Sequence, residues 1–222
     1  MKLKVDLHVH TCHSPCGMIA PYKIETIAVK KGLDAVAITD HNTIDGALKL
    51  ASCAKVIKVI VGEEVYTNQG EVIGYFLKEP IKPFLSVQET IHAIRAQGGI
   101  VSIPHPFDRL RSSSITRDAL NQVIAEVDMI EVFNGRDILQ KIDNRFLKES
   151  RKNGVVEIVG SDAHQAIEVG RSLVVMEHFQ TPEEFLQNIR NAQLIFRKNP
   201  LWVHIVTKIM KIFKRFYALP KW

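Results

Sequence analysis

The stretch Leu3-Lys4-Val5-Asp6-Leu7-His8-Val9-His10-Thr11 decides how this chain is read. Residues 3–9 have the pattern of a short buried strand, and the stretch ends on two histidines two positions apart. A period of two puts both imidazoles on the same side of an extended chain, so both can reach one ion. A lone His-x-His pair is an ordinary accident of surface or core. Here the arrangement recurs: Asp40-His41 follows the apolar run 34–39, and Gly62-Glu63-Glu64 follows the run 56–61. His105 comes just after 100–103, and Asp162-Ala163-His164 follows 155–159. Buried carboxylates and imidazoles are costly unless paired or metal-bound, and the loops after strands of an α/β fold converge on one mouth. These four clusters, with His105 counted alongside Gly62-Glu63-Glu64, point to a multinuclear metal site and hence to hydrolytic chemistry.

Between these strands the apolar spacing predicts helices over 22–31, 43–54, 87–97, 115–125 and 138–152, with further strands at 71–77, 129–133 and 171–175. Strands that alternate with helices of this length indicate parallel β/α units with right-handed crossovers. About seven such units favour a barrel over an open sheet. The body, residues 1–196, shows no linker or internal repeat that would divide it.

The 222 residues, 46% apolar and 24% charged, are enough for one packed α/β domain. No apolar run approaches the ~20 residues of a spanning helix, and the N-terminus turns polar at once, unlike a signal peptide. Three cysteines make no disulfide framework, so a reducing, cytoplasmic setting is expected. The net charge of +5 is concentrated at the C-terminus, where residues 197–222 hold seven basic residues and no acid. Residues 1–196 carry about −2, with 22 basic residues against 24 acidic. The basic pI is therefore a property of the tail and does not mark the body as a nucleic-acid binder.

The motifs Asp6-Leu7-His8-Val9-His10-Thr11, Ile38-Thr39-Asp40-His41-Asn42-Thr43, Ile103-Pro104-His105-Pro106 and Gly160-Ser161-Asp162-Ala163-His164 occur in that order across residues 6–164. Together they resemble the PHP family, named for polymerase and histidinol phosphatase domains. The resemblance implies a distorted (β/α)7 TIM-like barrel with two or three divalent metal ions at its C-terminal mouth. It also implies a metal-dependent phosphoesterase that hydrolyses a phosphate ester with a hydroxide bridging the ions. Carried over position by position, His8, His10, Glu64 and Asp162 hold the first ion. Glu64 bridges to a second ion bound by His105, and His41 and His164 hold a third with a ligand from the loop after His10. That loop offers Cys16, whose thiolate favours zinc or iron over magnesium. Glu71 stands where the family has a histidine for the second ion, which leaves room for manganese or iron. Asp6 and Asp40 are read as acceptors that orient the imidazoles. Cys12, His13 and Cys16 make only half of a structural zinc site, and Cys53 is read as a small buried residue.

The catalytic set expected on this basis is Asp162, His164 and Glu64, with Arg109 and Arg171 as phosphate-binding forks a few residues from metal ligands. Arg111 and Arg136 are the other candidates. No Gly-x-Ser-x-Gly and no P-loop is present. A small phosphomonoester of the histidinol phosphate or nucleotide type is the favoured substrate. The alternatives are the 5′ end of an oligonucleotide, or a non-catalytic metal-binding PHP module. An amidohydrolase would need a carbamylated lysine, and Glu64 stands in its place. In the tail 197–222, Leu201, Ile205, Ile209, Ile212, Phe213 and Phe216 recur at helical steps among Lys208, Lys211, Lys214 and Arg215, with Trp202, Tyr217 and Trp222 alongside. This basic amphipathic helix can pack on the barrel or a second subunit, dock on an anionic membrane surface, or touch a nucleic-acid backbone. His92, His178 and His204 belong to no cluster.

Overall fold

The computed structural model describes residues 2–108, 110–139 and 144–216. Arg109, the stretch 140–143 of the expected helix 138–152, and Tyr217, Lys221 and Trp222 lie outside the described residues. In chain order, β1 (Lys2–Val9), α1 (Pro21–Lys30), β2 (Ala35–His41), α2 (Asp45–Cys53) and β3 (Lys58–Thr67) form two β/α units. β4 (Gly70–Tyr75), α3 (Val87–Ala96), β5 (Ile100–Ile103), α4 (Arg117–Val123), β6 (Met129–Asn134), α5 (Asn144–Lys152) and β7 (Val156–Gly160) follow. β8 (Leu173–Glu177), α6 (Pro182–Ile189), β9 (Gln193–Ile195) and α7 (Trp202–Phe216) complete the described chain.

Among the described residues nine strands form a single sheet in the order β7-β6-β5-β4-β3-β2-β1-β8-β9. β1, β2 and β3 pair in parallel, as do β5, β6 and β7. β4 runs antiparallel to both β3 and β5. The sheet nearly closes on itself: His10 N donates to Ala163 O at 2.8 Å and Ala163 N to His8 O at 3.1 Å, so the end of β1 meets the chain leaving β7. The lower half of β1 pairs instead with β8. The architecture is thus the expected TIM-like barrel, with one difference. β3 and β4 are joined by the short turn between Thr67 and Gly70, which is too short for a crossover helix, so the strict repeat of seven parallel units gives way to a mixed sheet.

The strand pattern carries the core directly into the site. One cluster of buried residues draws on β1 to β8: Leu3, Val5, Ala35, Ala37, Ile60, Ile73, Tyr75, Ile100, Met129, Val156 and Ile158 among them. Side chains two positions apart share a face, and the cluster is continued toward one end by Thr39 and His41, Gly62 and Glu64, Glu71, Glu131, and Gly160 and Asp162. β4 runs the other way, so it reaches the same mouth with its first residues. β1 obeys the rule only after a register shift against β2 between Asp6 and Val9. That irregularity lets Leu7 belong to the core while His8 and His10 join the site. Two further clusters pack α1 and α2, and α3 and α4, on the outside of the sheet. α3 begins with a full capping box, Ser86 with Glu89. Cys53, read from the sequence as buried, is exposed at the end of α2.

Candidate metal centre

Eight side chains converge at the mouth. His8, His10 and Asp162 place ligand atoms within 4.8 Å of one another; so do His10, His41 and His164, and likewise His41, Glu64 and Glu71. Glu64 links the groups. Its Oε2 lies 3.3 Å from His10 Nε2, 3.1 Å from His41 Nδ1 and 3.5 Å from His8 Nε2, and its Oε1 is 2.9 Å from His105 Nε2. Glu71 reaches His105 at 3.4 Å and His41 at 3.6 Å. The structure therefore brings together His8, His10, His41, Glu64, Glu71, His105, Asp162 and His164. His41, assigned from the resemblance to a site with His164 and a loop ligand, also meets the two glutamates.

The surroundings fix the imidazoles. His8 Nδ1 is 2.8 Å from Glu131 Oε1, and a carboxylate can only accept, so Nδ1 holds the proton and Nε2 presents a lone pair. His164 Nδ1 donates to Asp162 O at 2.8 Å, with the same result. Ser14 Oγ donates to Asp40 at 2.6 Å and is 3.1 Å from His10 Nδ1, which makes Nδ1 the donor there too. Asp40 thus orients His10 through Ser14, and it also ties down the loop by accepting from Thr11 N and Oγ1. Asp6 touches no imidazole. It accepts from Ser161 Oγ and Gly170 N and binds β1 to the loop after β7. Two of the candidate ligands sit in left-handed backbone, His105 at φ 29° and Asp162 at φ 52°, a conformation costly for side-chain-bearing residues and concentrated at functional sites.

The charge balance leaves space for a cation. His41 Nδ1, Glu64 Oε2, Glu71 Oε2 and Asp162 Oδ1 are buried without a well-formed hydrogen bond, and all four face the cluster. Burial pushes His41 down to about 3, and burial with the Arg136 charge holds His164 well below its usual value, so both are neutral donors. Burial opposes charge on His10 as well, yet its bonds to Asp162 and Glu64 raise it to about 9. His8 is raised well above its ordinary value because Glu131, Asp162 and Glu64 outweigh burial. Burial and the Glu64 charge lift Glu71 to about 7. Without an ion, a proton between His8 Nε2 and His10 Nε2, 3.1 Å apart, and one on Glu71 offset part of the carboxylate charge. Imidazole nitrogens and carboxylate oxygens in this number suit zinc, manganese or iron.

Cys16 is buried on the wall of the adjoining cavity but belongs to none of the three convergent groups among the described residues, and burial pushes its thiol up to about 12. That cavity, about 620 Å³, opens from His41, Glu71 and His164 and is lined by Arg111, Tyr66 and one side of α7. Arg111 Nη2 donates to Asp162 Oδ2 at 2.5 Å and Nε to Asp108 at 3.1 Å. Arg171 is placed elsewhere: its guanidinium donates to Lys198 O, and it does not line the cavity. Arg136 is at the cavity edge but committed to Glu168 at 2.7 Å and Thr207 at 3.0 Å. His204, which the sequence assigns to no cluster, lines the cavity with Lys208 and Lys211. Glu131 was missed altogether, although a lone acid two positions past Met129 in an apolar strand was the available signal.

A comparison with protein-family models matches the PHP domain over residues 6–208. The uncharacterized protein MJ1587 of Methanocaldococcus jannaschii is 40% identical over 146 residues, 60% of this chain and 82% of its own length. The uncharacterized protein MJ0417 of the same organism is 32% identical over 211 residues, 90% of this chain and 85% of its own. Among solved structures, a two-domain protein of Bacteroides vulgatus containing a predicted PHP-like metal-dependent phosphoesterase superimposes with a TM-score of 0.71. It shares 18% identity over 89% of this chain, and the present chain spans 65% of its length. The likeness to that structure is one of fold. By the match over almost its whole body, and by the order of its ligand-bearing strand ends, this chain belongs to the PHP domain family.

Proposed function

We propose that this protein is a metal-dependent phosphoesterase acting on a small phosphomonoester. The observation that carries this reading is the junction of a ligand cluster, whose buried carboxylate oxygens lack well-formed hydrogen bonds, with a cavity walled by cations. His8, His10, Glu64 and Asp162 would hold one ion, and His105, Glu71, His41 and His164 supply the ligands for one or two more. When bound, such ions supply a water of lowered pKa and positive charge against phosphoryl oxygens. Arg111 is the phosphate-binding cation: it sits on the wall beside Glu71 and His164, and with Nε and Nη2 held by Asp108 and Asp162 its Nη1 is the donor left to meet a phosphoryl oxygen. Lys208 and Lys211 extend the positive wall, so an anionic ester is drawn in and held with its phosphorus toward the ligand cluster. Glu131 and Ser14 keep His8 and His10 in the tautomer that offers Nε2 to the site.

The cavity size favours a small substrate, because about 620 Å³ is in the range of small-molecule sites and α7 closes one side. Tyr66 lies flat on His41, ring centres 4.7 Å apart at 15°, and gives the leaving group an aromatic surface. A 5′-phosphorylated oligonucleotide end is the competing reading, supported by the lysines of the same wall.

The test is phosphate release by protein reconstituted in turn with zinc, manganese and iron. Histidinol phosphate, a nucleoside 3′,5′-bisphosphate and a 5′-phosphorylated oligonucleotide are the substrates, and Asp162→Ala the blank. Turnover that disappears in the blank supports the phosphoesterase and ranks the substrates. No turnover with any metal, in protein shown to hold its ions, returns the chain to the class of non-catalytic metal-binding modules.

A further inference from the structure

α7 is amphipathic in two senses, and only one of them is used by the barrel. Its inner side is anchored: Val203 is fully buried, and Thr207 Oγ1 accepts from Arg136. Lys214 Nζ donates to Cys12 O, Ser14 O and Gly17 O, bracing the loop that positions His10. The opposite side is apolar and faces solvent. Leu201, Ile205, Ile209 and Ile212 recur at steps of three and four, so they form one continuous stripe, and Ile205 and Ile212 are 63% and 57% exposed. Trp202 lies beside them, 48% exposed. Lys208 and Lys211, exposed and on the cavity side, flank the stripe. The apolar surface continues across the cavity rim, where Leu110 and Ile138 are exposed as well.

We propose that α7 seats the protein on an anionic lipid bilayer, with the Leu201–Ile212 stripe in the headgroup region and the cavity mouth held against the surface. Charge chooses this occupant. Residues 197–222 contain seven bases and no acid, so the tail as a whole complements a negative surface, and on the helix Lys208 and Lys211 present that charge beside the stripe. A second copy docking helix on helix would set lysine against lysine around the stripe. A nucleic-acid backbone would meet the lysines but leave the isoleucines in water. Spanning is not involved: 15 residues make a helix of about 22 Å, shorter than the ~30 Å hydrocarbon layer. Among the described residues no helix is long and apolar enough to cross a membrane.

The experiment is flotation of the full chain with vesicles of phosphatidylcholine alone and with a third of phosphatidylglycerol. Both tryptophans, Trp202 and Trp222, belong to the tail, so emission reports on it directly. Expected are association at least tenfold stronger with the anionic vesicles, a blue shift of emission, and weakening by added salt. Ile209→Glu with Ile212→Glu changes exposed positions that do not line the cavity. It should abolish association while circular dichroism and turnover in solution stay as in the wild type. Equal, weak behaviour with both vesicle types overturns the proposal. So does a dimer in sedimentation that the double variant dissociates without any vesicle binding, since the occupant is then a second copy. Emission quenching by bromine-labelled lipid in the wild type decides the matter should the variant fail to fold.

Discussion

Glu131 offers the sharpest test of how this site is held together, because a single-atom exchange there acts on a metal ligand it does not replace. Its Oε1 accepts from His8 Nδ1 at 2.8 Å, and its Oε2 accepts from the backbone N–H of His105 and from Asn134 Nδ2, each at 2.9 Å. Glu131→Gln keeps the shape but leaves only one accepting end. With the amide oxygen toward His105 and Asn134, the NH₂ faces His8 Nδ1, donor against donor. The clash is relieved if His8 moves its proton to Nε2, where it replaces the lone pair offered to the metal site. With the amide reversed, the NH₂ meets two donors, and the loss is larger. Nor can the amide turn aside: even a Cβ added to Gly160 would lie 2.2 Å from Glu131 Oε1. A hydrogen bond to a charged group is worth about 1.5–3 kcal/mol. Loss of such an orienting partner typically costs 10–100-fold in metal affinity, or about 1.4–2.7 kcal/mol. Chelator-competition titration with zinc and manganese measures this, with a thermal melt to show that the barrel persists. Gly160→Ala should lower the affinity by the same route, since the added methyl displaces the same oxygen. Wild-type affinity in both variants would falsify the claim that Glu131 sets the His8 tautomer.

Three further outcomes follow from the same geometry. Arg111→Met should lower kcat/KM roughly 10–100-fold by removing a charge-assisted contact to phosphate, with metal affinity unchanged or tighter because a cation competing for Asp162 is gone; weaker metal binding instead would make Arg111 a positioning residue. His8 and His10 are both raised, His10 to about 9, and their Nε2 atoms lie 3.1 Å apart, so a proton held between them must leave when the first ion binds. Calorimetry in buffers of different ionisation enthalpy should show at least one proton released per ion at pH 7 and affinity falling as pH drops; zero release would contradict the protonated cluster. Glu63, buried with one oxygen accepting from Ile81 N, is raised by burial to about 7 from 4.5. The unfolded chain ionises above 4.5 while the folded one keeps the proton, so this group subtracts stability as pH rises from 4.5 to 7. Glu63→Gln should gain on the wild type across that window, by an upper bound of about 3 kcal/mol, and parallel stability curves for the two proteins would remove Glu63 from the account.

What the sequence could and could not reveal here has a geometric cause. Every candidate ligand on β2, β3, β4 and β7 keeps the two-residue phase of the core below it: Ala37 to Thr39 to His41, Ile60 to Gly62 to Glu64, Ile73 to Glu71, Ile158 to Gly160 to Asp162. The alternation that marks a strand therefore also marks the ligands, and the ligand-bearing strand ends were legible for that reason. Besides Glu131, three things escaped. The β3–β4 hairpin was lost because its turn, Asn68-Gln69-Gly70, sets a residue between the asparagine and the glycine instead of giving the adjacent Asn-Gly pair that signals a tight connection, so β4 was counted as one more parallel strand. The sequence puts Arg171 ahead of Arg111 on nearness to a ligand alone, which says nothing of where a loop folds back. Arg171 turns to Lys198 O, and Arg111 turns to Asp162, 51 positions away. The hardest was α7, whose apolar pattern announces an amphipathic helix but not which face is buried. On the barrel the anchoring is done by Val203, Thr207 and the butyl-ammonium of Lys214, while the isoleucine stripe is left outside. A lysine that donates to three carbonyls satisfies a loop more fully than apolar contact could, and that loop carries Ser14, which holds His10. The tail is thus part of the site's support, and its truncation before Trp202 should loosen His10 as well as uncover the cavity.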